Sequence, residues 1–365
     1  MSVAARATTG IHCDRPSTVG ARLARGHDAP AHADPVTDQS GGQLWLPPQP
    51  AIRTRDALAL GITRGQLAGP GWQAPLRGVR LPVGADANDP LQRILAVAEV
   101  LPSGAAIGGW AAARLLGAGE FDGRGASGQG LDPVPVILPP PILVRERPEI
   151  VRWRSHLGPD DVSVVHGIPC TSPVRTGFDL ARRRSLREAV VALDQLGRLL
   201  RLSPEAVLHY ADERRGWRGV PQVRRAVGLT DPRALSTGET RLRLVWVLDA
   251  RLPPPEVNAD VFDLGGFFLG MADLLDISAG MLGEYDGGGH RAAERHTLDN
   301  AREEWLKDSG LIVVRATSID VGRQRRRTAA RLLTAHRRGT GRDRSRDRWT
   351  WRARTPATRP PGPAD

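Results

Sequence analysis

Three carboxylates in the last third of the chain, Asp273, Glu284 and Asp286, have the spacing that metal-assisted chemistry needs. Eleven positions separate Asp273 from Glu284, enough for one strand end, a turn and the return of the next strand. Glu284 and Asp286 are two apart, so on a strand both side chains leave the same face. Carboxylates that converge in this way repel one another unless a hard divalent cation neutralises them. The arrangement therefore points to Mg2+ or Mn2+ held by Asp273, Glu284 and Asp286. Such an ion polarises a phosphodiester, lowers the pKa of an attacking water and stabilises the leaving oxygen. Gly287-Gly-Gly289 leaves the backbone open beside the site, and His290 follows as a general base or phosphate contact. Glu239 is an upstream acidic candidate, although Ser236-x-x-Glu239 also reads as a capping box. Asp276 reads as a turn residue after its strand. Arg315, closing an apolar strand, is a candidate phosphate contact. Arg302 is a candidate nucleic-acid contact, or simply one half of a surface ion pair with Asp299 three residues earlier.

The elements that must position these residues can be read from the surrounding pattern. Ser236 starts a helix running to about Ala250, and strands are expected at Val257–Leu264, Phe267–Leu274 and Met281–Tyr285. A polar helix from about Ala292 to Asp308, a strand Leu311–Ala316 and a closing helix Ile319–Ala335 complete an α-β-β-β-α-β-α order, which fits a three-layer α/β domain over residues 236–335. Near the N-terminus, Ile52–Gly61 reads as a short helix stopped by glycine, and Thr63 caps a second helix through Leu67. A turn and a strand at Gly78–Leu81 follow. Helix, glycine turn, helix and β-wing is the order of a winged helix-turn-helix, assigned to residues 46–84. Its second helix would place Arg64 and Gln66 in the major groove as base or phosphate readers. Residues 85–230 form a mixed α/β middle region. It has strands at Val134–Leu138 and Ile150–Arg154, then helices capped by Ser172, over 186–201 and over 204–214. The lone histidines His156, His166 and His209 show no catalytic grouping.

The chain has 365 residues, 40% of them hydrophobic, enough for two or three domains with buried cores. No stretch is long and apolar enough to span a membrane, and no signal pattern opens the chain, so the expected address is the cytoplasm. Two cysteines, Cys13 and Cys170, cannot make a disulfide framework or a cysteine-rich zinc site. The formal charge of +11 is unevenly placed: Val321–Asp365 holds 14 Arg and three Asp, so the preceding 320 residues balance to zero. Residues 336–365 are read as an Arg-rich disordered tail, either solvated or a sequence-independent phosphate-binding arm. Residues 1–45, rich in Ala, Gly, Asp, Thr and Pro without periodicity, are read as disordered.

Gly283-Glu-Tyr-Asp-Gly287, His290-Arg291, Asp299, Arg302, Gly310 and Val313-Val-Arg315, together with Asp273-Leu-Leu-Asp276, resemble the actinobacterial Vsr-like domain. That domain is related to very-short-patch-repair endonucleases within the PD-(D/E)xK superfamily. The resemblance implies a restriction-endonuclease-like fold with Asp273 and Glu284 as metal ligands, Asp286 at the usual lysine position and His290 assisting. The superfamily pattern ends in E-x-K, whereas the only lysine here, Lys307, lies in the following helix. A second resemblance is carried by Arg53–Gly61, Arg77-Gly-Val79, Gly109–Leu115, Thr171-Ser-Pro-Val-Arg-Thr176 and Asp179-Leu-Ala181. These segments are similar to AbiEi-type antitoxins, which are transcriptional autoregulators. It implies DNA and a cognate toxin as partners.

The sequence thus supports an α+β multidomain chain with two functional expectations. The leading one is a metal-dependent DNA endonuclease targeted by its winged helix. The alternative is a non-catalytic AbiEi-like antitoxin or regulator with a vestigial nuclease fold.

Overall fold

The computed structural model describes residues 49–124, 130–287 and 305–354. His290, Asp299, Arg302 and the segment 1–45 lie outside the described residues. The architecture is mixed α+β and divides into two compact units. The first takes the described part of Met1–Ile107 with Asp132–Leu157 and Val164–Cys170. The second takes Gly108–Leu131, Gly158–Ser163 and the described part of Thr171–Asp365. No helix among the described residues is long and apolar enough to cross a membrane.

In the first unit, β1 (Ile52–Arg53) leads into α1 (Thr54–Ala59) and α2 (Arg64–Ala68), followed by β2 (Trp72–Gln73) and β3 (Val79–Pro82). Gly61 takes φ +87°, the left-handed region that lets the chain leave α1, and its N–H donates to the Leu58 carbonyl. The three strands form an antiparallel sheet in the order β1-β3-β2, with Ala57, Leu67, Leu76, Val79 and Leu81 buried. Helix α3 (Pro90–Ala98) is capped by Asp89, whose carboxylate accepts the Gln92 N–H. A second sheet has the order β6-β5-β4-β8-β7, from β4 (Ala106–Ile107), β5 (Val134–Leu138), β6 (Ile150–Arg154), β7 (Val162–Val165) and β8 (Ile168–Thr171). Every residue of β5 is buried, as its unbroken Val-Pro-Val-Ile-Leu run requires of an inner strand.

The second unit opens with α4 (Gly109–Leu115), α5 (Pro173–Arg183), α6 (Leu186–Leu200), α7 (Pro204–Asp212) and α8 (Val220–Val227). Within the middle region 85–230, the strands fall largely in the first unit and the later helices in the second. Next come α9 (Thr237–Leu244), running on into a π-helical turn (Val245–Asp249), and the strands β9 (Glu256–Asp263), β10 (Phe268–Asp276) and β11 (Met281–Asp286). After the described helical residues 305–308 follow β12 (Ile312–Thr317), α10 (Ser318–Val321), α11 (Arg325–Thr340) and β13 (Trp349–Arg352). The sheet order is β12-β11-β10-β9-β13; β11 and β12 are parallel and the other pairs antiparallel. One core cluster gathers Leu242, Trp246, Leu274, Met281, Val314 and Leu332 from strands, α9, the π-helical turn and α11. The other gathers Val261, Leu275, Leu282, Leu306 and Leu311.

Two expectations need correction. The closing helix is two helices broken at Gly322, and the second runs to Thr340. Residues 336–354 are also not a disordered tail, because β13 pairs with β9 from Trp349↔Asp263 to Arg352↔Asp260. Trp349 and Trp351 alternate with exposed residues and pack against the second cluster. Asp347 binds both Arg342 and Arg344, tying these two charges into the fold.

Candidate functional site

The β10–β11 ladder is regular from Asp276↔Met281 to Leu274↔Gly283. Beyond that pair, the Tyr285 N–H donates to the Asp273 carboxylate at 2.7 Å, so a side chain takes the place a strand carbonyl would fill. Asp273 thus sits beside the Glu284–Tyr285 peptide, and lies within β10 rather than at its end. Glu284 is the register partner of Arg315 across the parallel β11–β12 pair, and its Oε2 lies 3.7 Å from the Arg315 Nε. By strand alternation Glu284 and Asp286 share the face of Leu282. The sheet brings Asp273, Glu284 and Arg315 to adjacent strands, but among the described residues no three carboxylate, imidazole or thiol groups come close enough to hold a metal ion. Asp273 is engaged by a backbone N–H and Glu284 by a guanidinium.

Glu239 is buried at 8% exposure and its Oε2 accepts from the Leu235 N–H at 2.8 Å and the Asn258 amide at 3.0 Å. The Ser236 hydroxyl accepts the Glu239 N–H, as the capping pattern predicts, but the reciprocal bond goes to Leu235 rather than Ser236. Glu239 thus fixes a helix start and a strand. Asp276 behaves as a turn residue: its Oδ1 accepts from the Ser278 hydroxyl and the Ala279 N–H, and its Oδ2 meets His336 Nδ1 at 2.7 Å. Burial opposes its charge, yet these bonds and His336 bring its pKa below the usual carboxylate range. Cys170 is buried, and burial pushes its thiol up to about 11, which leaves it unreactive at neutral pH.

In the first unit, Thr63 and Gln66 form a reciprocal cap. The Thr63 hydroxyl accepts the Gln66 N–H, and the Gln66 Oε1 accepts the Thr63 N–H at 2.8 Å. Arg64 and Gln66 are both exposed on α2 while Leu67 is buried beneath them. Gln66 is thus partly committed to holding its own helix, whereas Arg64 points outward, and exposed Arg77 lies in the turn between β2 and β3.

Sequence reasoning missed the polar core of the helical block. Arg175 is fully buried; its Nε lies 2.8 Å from Asp179 and its Nη1 2.8 Å from Asp161. The Tyr210 hydroxyl donates to Asp161 at 2.6 Å, and the Arg214 guanidinium lies 3.4 Å from the Tyr210 ring centre. Burial works against the Arg175 charge, but Asp179, Tyr210 and Asp161 outweigh it and its pKa lies above the ordinary value. Burial, and then the bond to Asp161, raise the Tyr210 phenol as well. The Thr171 and Thr176 hydroxyls bond at 2.6 Å. The Thr171–Thr176 and Asp179–Ala181 segments are therefore a folding latch, with Arg175 and Asp179 at its centre.

Residues 84–229 match the family model of the AbiEi antitoxin C-terminal domain. This span includes Gly109–Leu115 and the Thr171–Ala181 latch, and excludes Arg53–Gly61. The chain is 30% identical over 169 residues to the uncharacterized protein MT2308 of Mycobacterium tuberculosis strain CDC 1551. The same figures hold for the uncharacterized protein Rv2248 of strain H37Rv. The alignment takes in 46% of this chain and 62% of each relative, so the chain spans less than two thirds of the relatives' length. No solved structure matches.

Proposed function

We propose that this protein is a cytoplasmic DNA-binding regulator of the antitoxin type. The match of residues 84–229 to the AbiEi antitoxin C-terminal domain carries this reading. Residues 46–84 act as the winged helix-turn-helix, with the exposed Arg64 and Gln66 of α2 entering the major groove and the β2–β3 turn as the wing. The helical block built on the Arg175 latch supplies the surface for a cognate toxin. The C-terminal sheet is a Vsr-like, restriction-endonuclease-like fold that serves binding rather than cleavage. In support, Glu239 is held as a cap and Glu284 by Arg315. Gel-shift titration of the full chain on the DNA upstream of its own coding sequence tests the reading. Tight binding there, weaker binding to a scrambled duplex, and a drop in that preference for Arg64→Ala are expected. Equal binding to both duplexes would overturn it.

A second reading is favoured by one observation, the break in the β10–β11 ladder that sets Asp273 beside Glu284. In it the protein is a Mg2+- or Mn2+-dependent DNA endonuclease in which Asp273, Glu284 and Asp286 hold the ion. His290 moves a proton, Glu239 assists, and Arg302 and Arg315 contact phosphate. Cleavage of supercoiled DNA that needs added Mg2+ and is abolished in Glu284→Ala would establish this reading over the first.

A further inference from the structure

Helix α11 carries a basic face that neither reading uses. From Gly322 to Thr340 the chain has seven Arg and no Asp or Glu. At ~100° per residue, Arg326, Arg327, Arg331, Arg337 and Arg338 fall within an arc about 140° wide. The opposite side buries Thr328, Leu332 and Ala335. All five arginines are exposed. The neighbouring carboxylates are few: Asp320 lies 3.5 Å from Arg331, and Asp249 lies 4.0 Å from Arg325. Arg326, Arg337 and Arg338 have no ion-pair partner among the described residues. Arg325, Arg326 and Arg327 also occupy the first turn, which has no acidic residue, against the positive end of the helix dipole. An arrangement that costs helix stability locally is expected where a ligand, here an anion, offsets it.

We propose that the exposed face of α11 holds the phosphate backbone of duplex DNA, independently of base sequence. Arg326 to Arg338 spans about 18 Å at ~1.5 Å per residue, or about five base pairs at ~3.4 Å each. A polyanion of that repeat fits a helix face that presents guanidinium groups near both its ends. A membrane surface does not, because the helix's leucines, Leu332 and Leu333, pack in the core and the small Ala330 is the one apolar residue within the basic arc. The face belongs to the helix packed on the Trp246 cluster, whereas Glu284 and Asp286 share the Leu282 face of the sheet. It is thus a surface separate from the carboxylates. The proposal rests on the DNA-binding reading only in requiring that duplex be present to be held.

The test is fluorescence anisotropy of the full chain with a random-sequence duplex over a range of KCl. It compares wild type, Arg64→Ala, a four-fold variant (Arg326→Gln, Arg327→Gln, Arg337→Gln, Arg338→Gln) and the same four positions changed to Lys. The Gln variant should lower the slope of log affinity against log salt by about 0.9 for each phosphate it no longer neutralises. It should weaken random and upstream DNA alike, with a melting temperature no lower than wild type, and the Lys variant should restore most of the slope. Arg64→Ala should instead reduce the preference for upstream DNA. A Gln variant with wild-type slope overturns the α11 proposal while leaving the winged-helix reading standing. So does binding of the helix face to phosphatidylserine vesicles with no change on duplex. Failure of wild type to bind any duplex overturns both.

Discussion

Asp194 on α6 and Arg243 on α9 meet at 2.7 Å, both nearly excluded from solvent. The pair joins the last long helix of the AbiEi-matched span to the first helix of the C-terminal sheet region. The Thr240 hydroxyl and the Asp231 N–H also donate to Asp194, and Arg243 donates to the Leu229 carbonyl. Two further pairs, Arg187–Asp249 and Glu188–Arg241, line the same junction. The AbiEi-matched helices and the C-terminal region are thus joined by one buried and two partly buried ion pairs.

That network makes stability depend on pH in a defined direction. Burial pushes the Asp194 carboxyl from an ordinary 3.8 up to about 6, despite the opposing pull of Arg243. The folded state therefore holds this proton more tightly than the unfolded chain. Stability from this group is full below about pH 4 and is lost as pH rises to about 6, by about 3 kcal/mol at ~1.4 kcal/mol per pH unit. Asp194→Asn removes that dependence. In urea unfolding, the stability of the variant relative to wild type should rise between pH 4 and 6.5 and then level off. A constant difference, or one moving the other way, contradicts the assignment.

Arg175→Ala should cost about 3–5 kcal/mol, because it removes the fully buried cation between Asp161 and Asp179 and leaves Arg182, Arg183 and Arg214 only at the edges of the cluster. Arg175→Lys should rescue little, since an ammonium cannot span two carboxylates from fixed fork positions. Chemical denaturation reads both, and a near-neutral Lys variant would show the latch to be only a charge.

Gly238 on α9 is packed against Tyr285, so closely that an added Cβ would fall 2.0 Å from the ring. Gly238→Ala should destabilise by about 1–3 kcal/mol through overpacking. Trimming the ring in the same chain, with Tyr285→Ala, should make the glycine substitution nearly silent. Additive effects in that double-mutant cycle would mean the two do not meet.

Thr63→Ala removes the hydroxyl that caps α2 and should cost about 1 kcal/mol. Its effect on affinity for upstream DNA should exceed its effect on melting temperature, because a five-residue helix depends heavily on its cap. Equal affinity with a lowered melting temperature would remove α2 from the DNA interface.

The strand Val134–Leu138 could be read because it runs apolar over its whole length, and Met281–Asp286 from its apolar start Met281-Leu282 and the alternation of Glu284, Tyr285 and Asp286. The Ser236 and Thr63 caps were equally legible, since capping is a local rule. The Arg175 latch was not: Asp161 and Tyr210 lie 14 and 35 positions from Arg175, and no local pattern signals their meeting. The strand Trp349–Arg352 was hidden by the charge of its neighbours; the only signal was the alternation of Trp349 and Trp351, whose burial needs β9 as partner. The carboxylates were legible as neighbours, but not their partners. Register with Arg315 and the ladder break at Tyr285 are tertiary facts, and they decide what Asp273 and Glu284 can do.

The most direct test is DNase footprinting of the upstream DNA with the full chain in Mg2+, with a lane lacking DNase. The regulator account predicts a discrete protected window that fades in Arg64→Ala, and an intact duplex in the DNase-free lane. Strand breaks in that lane, abolished by EDTA and by Glu284→Ala, would contradict it and make the protein a nuclease.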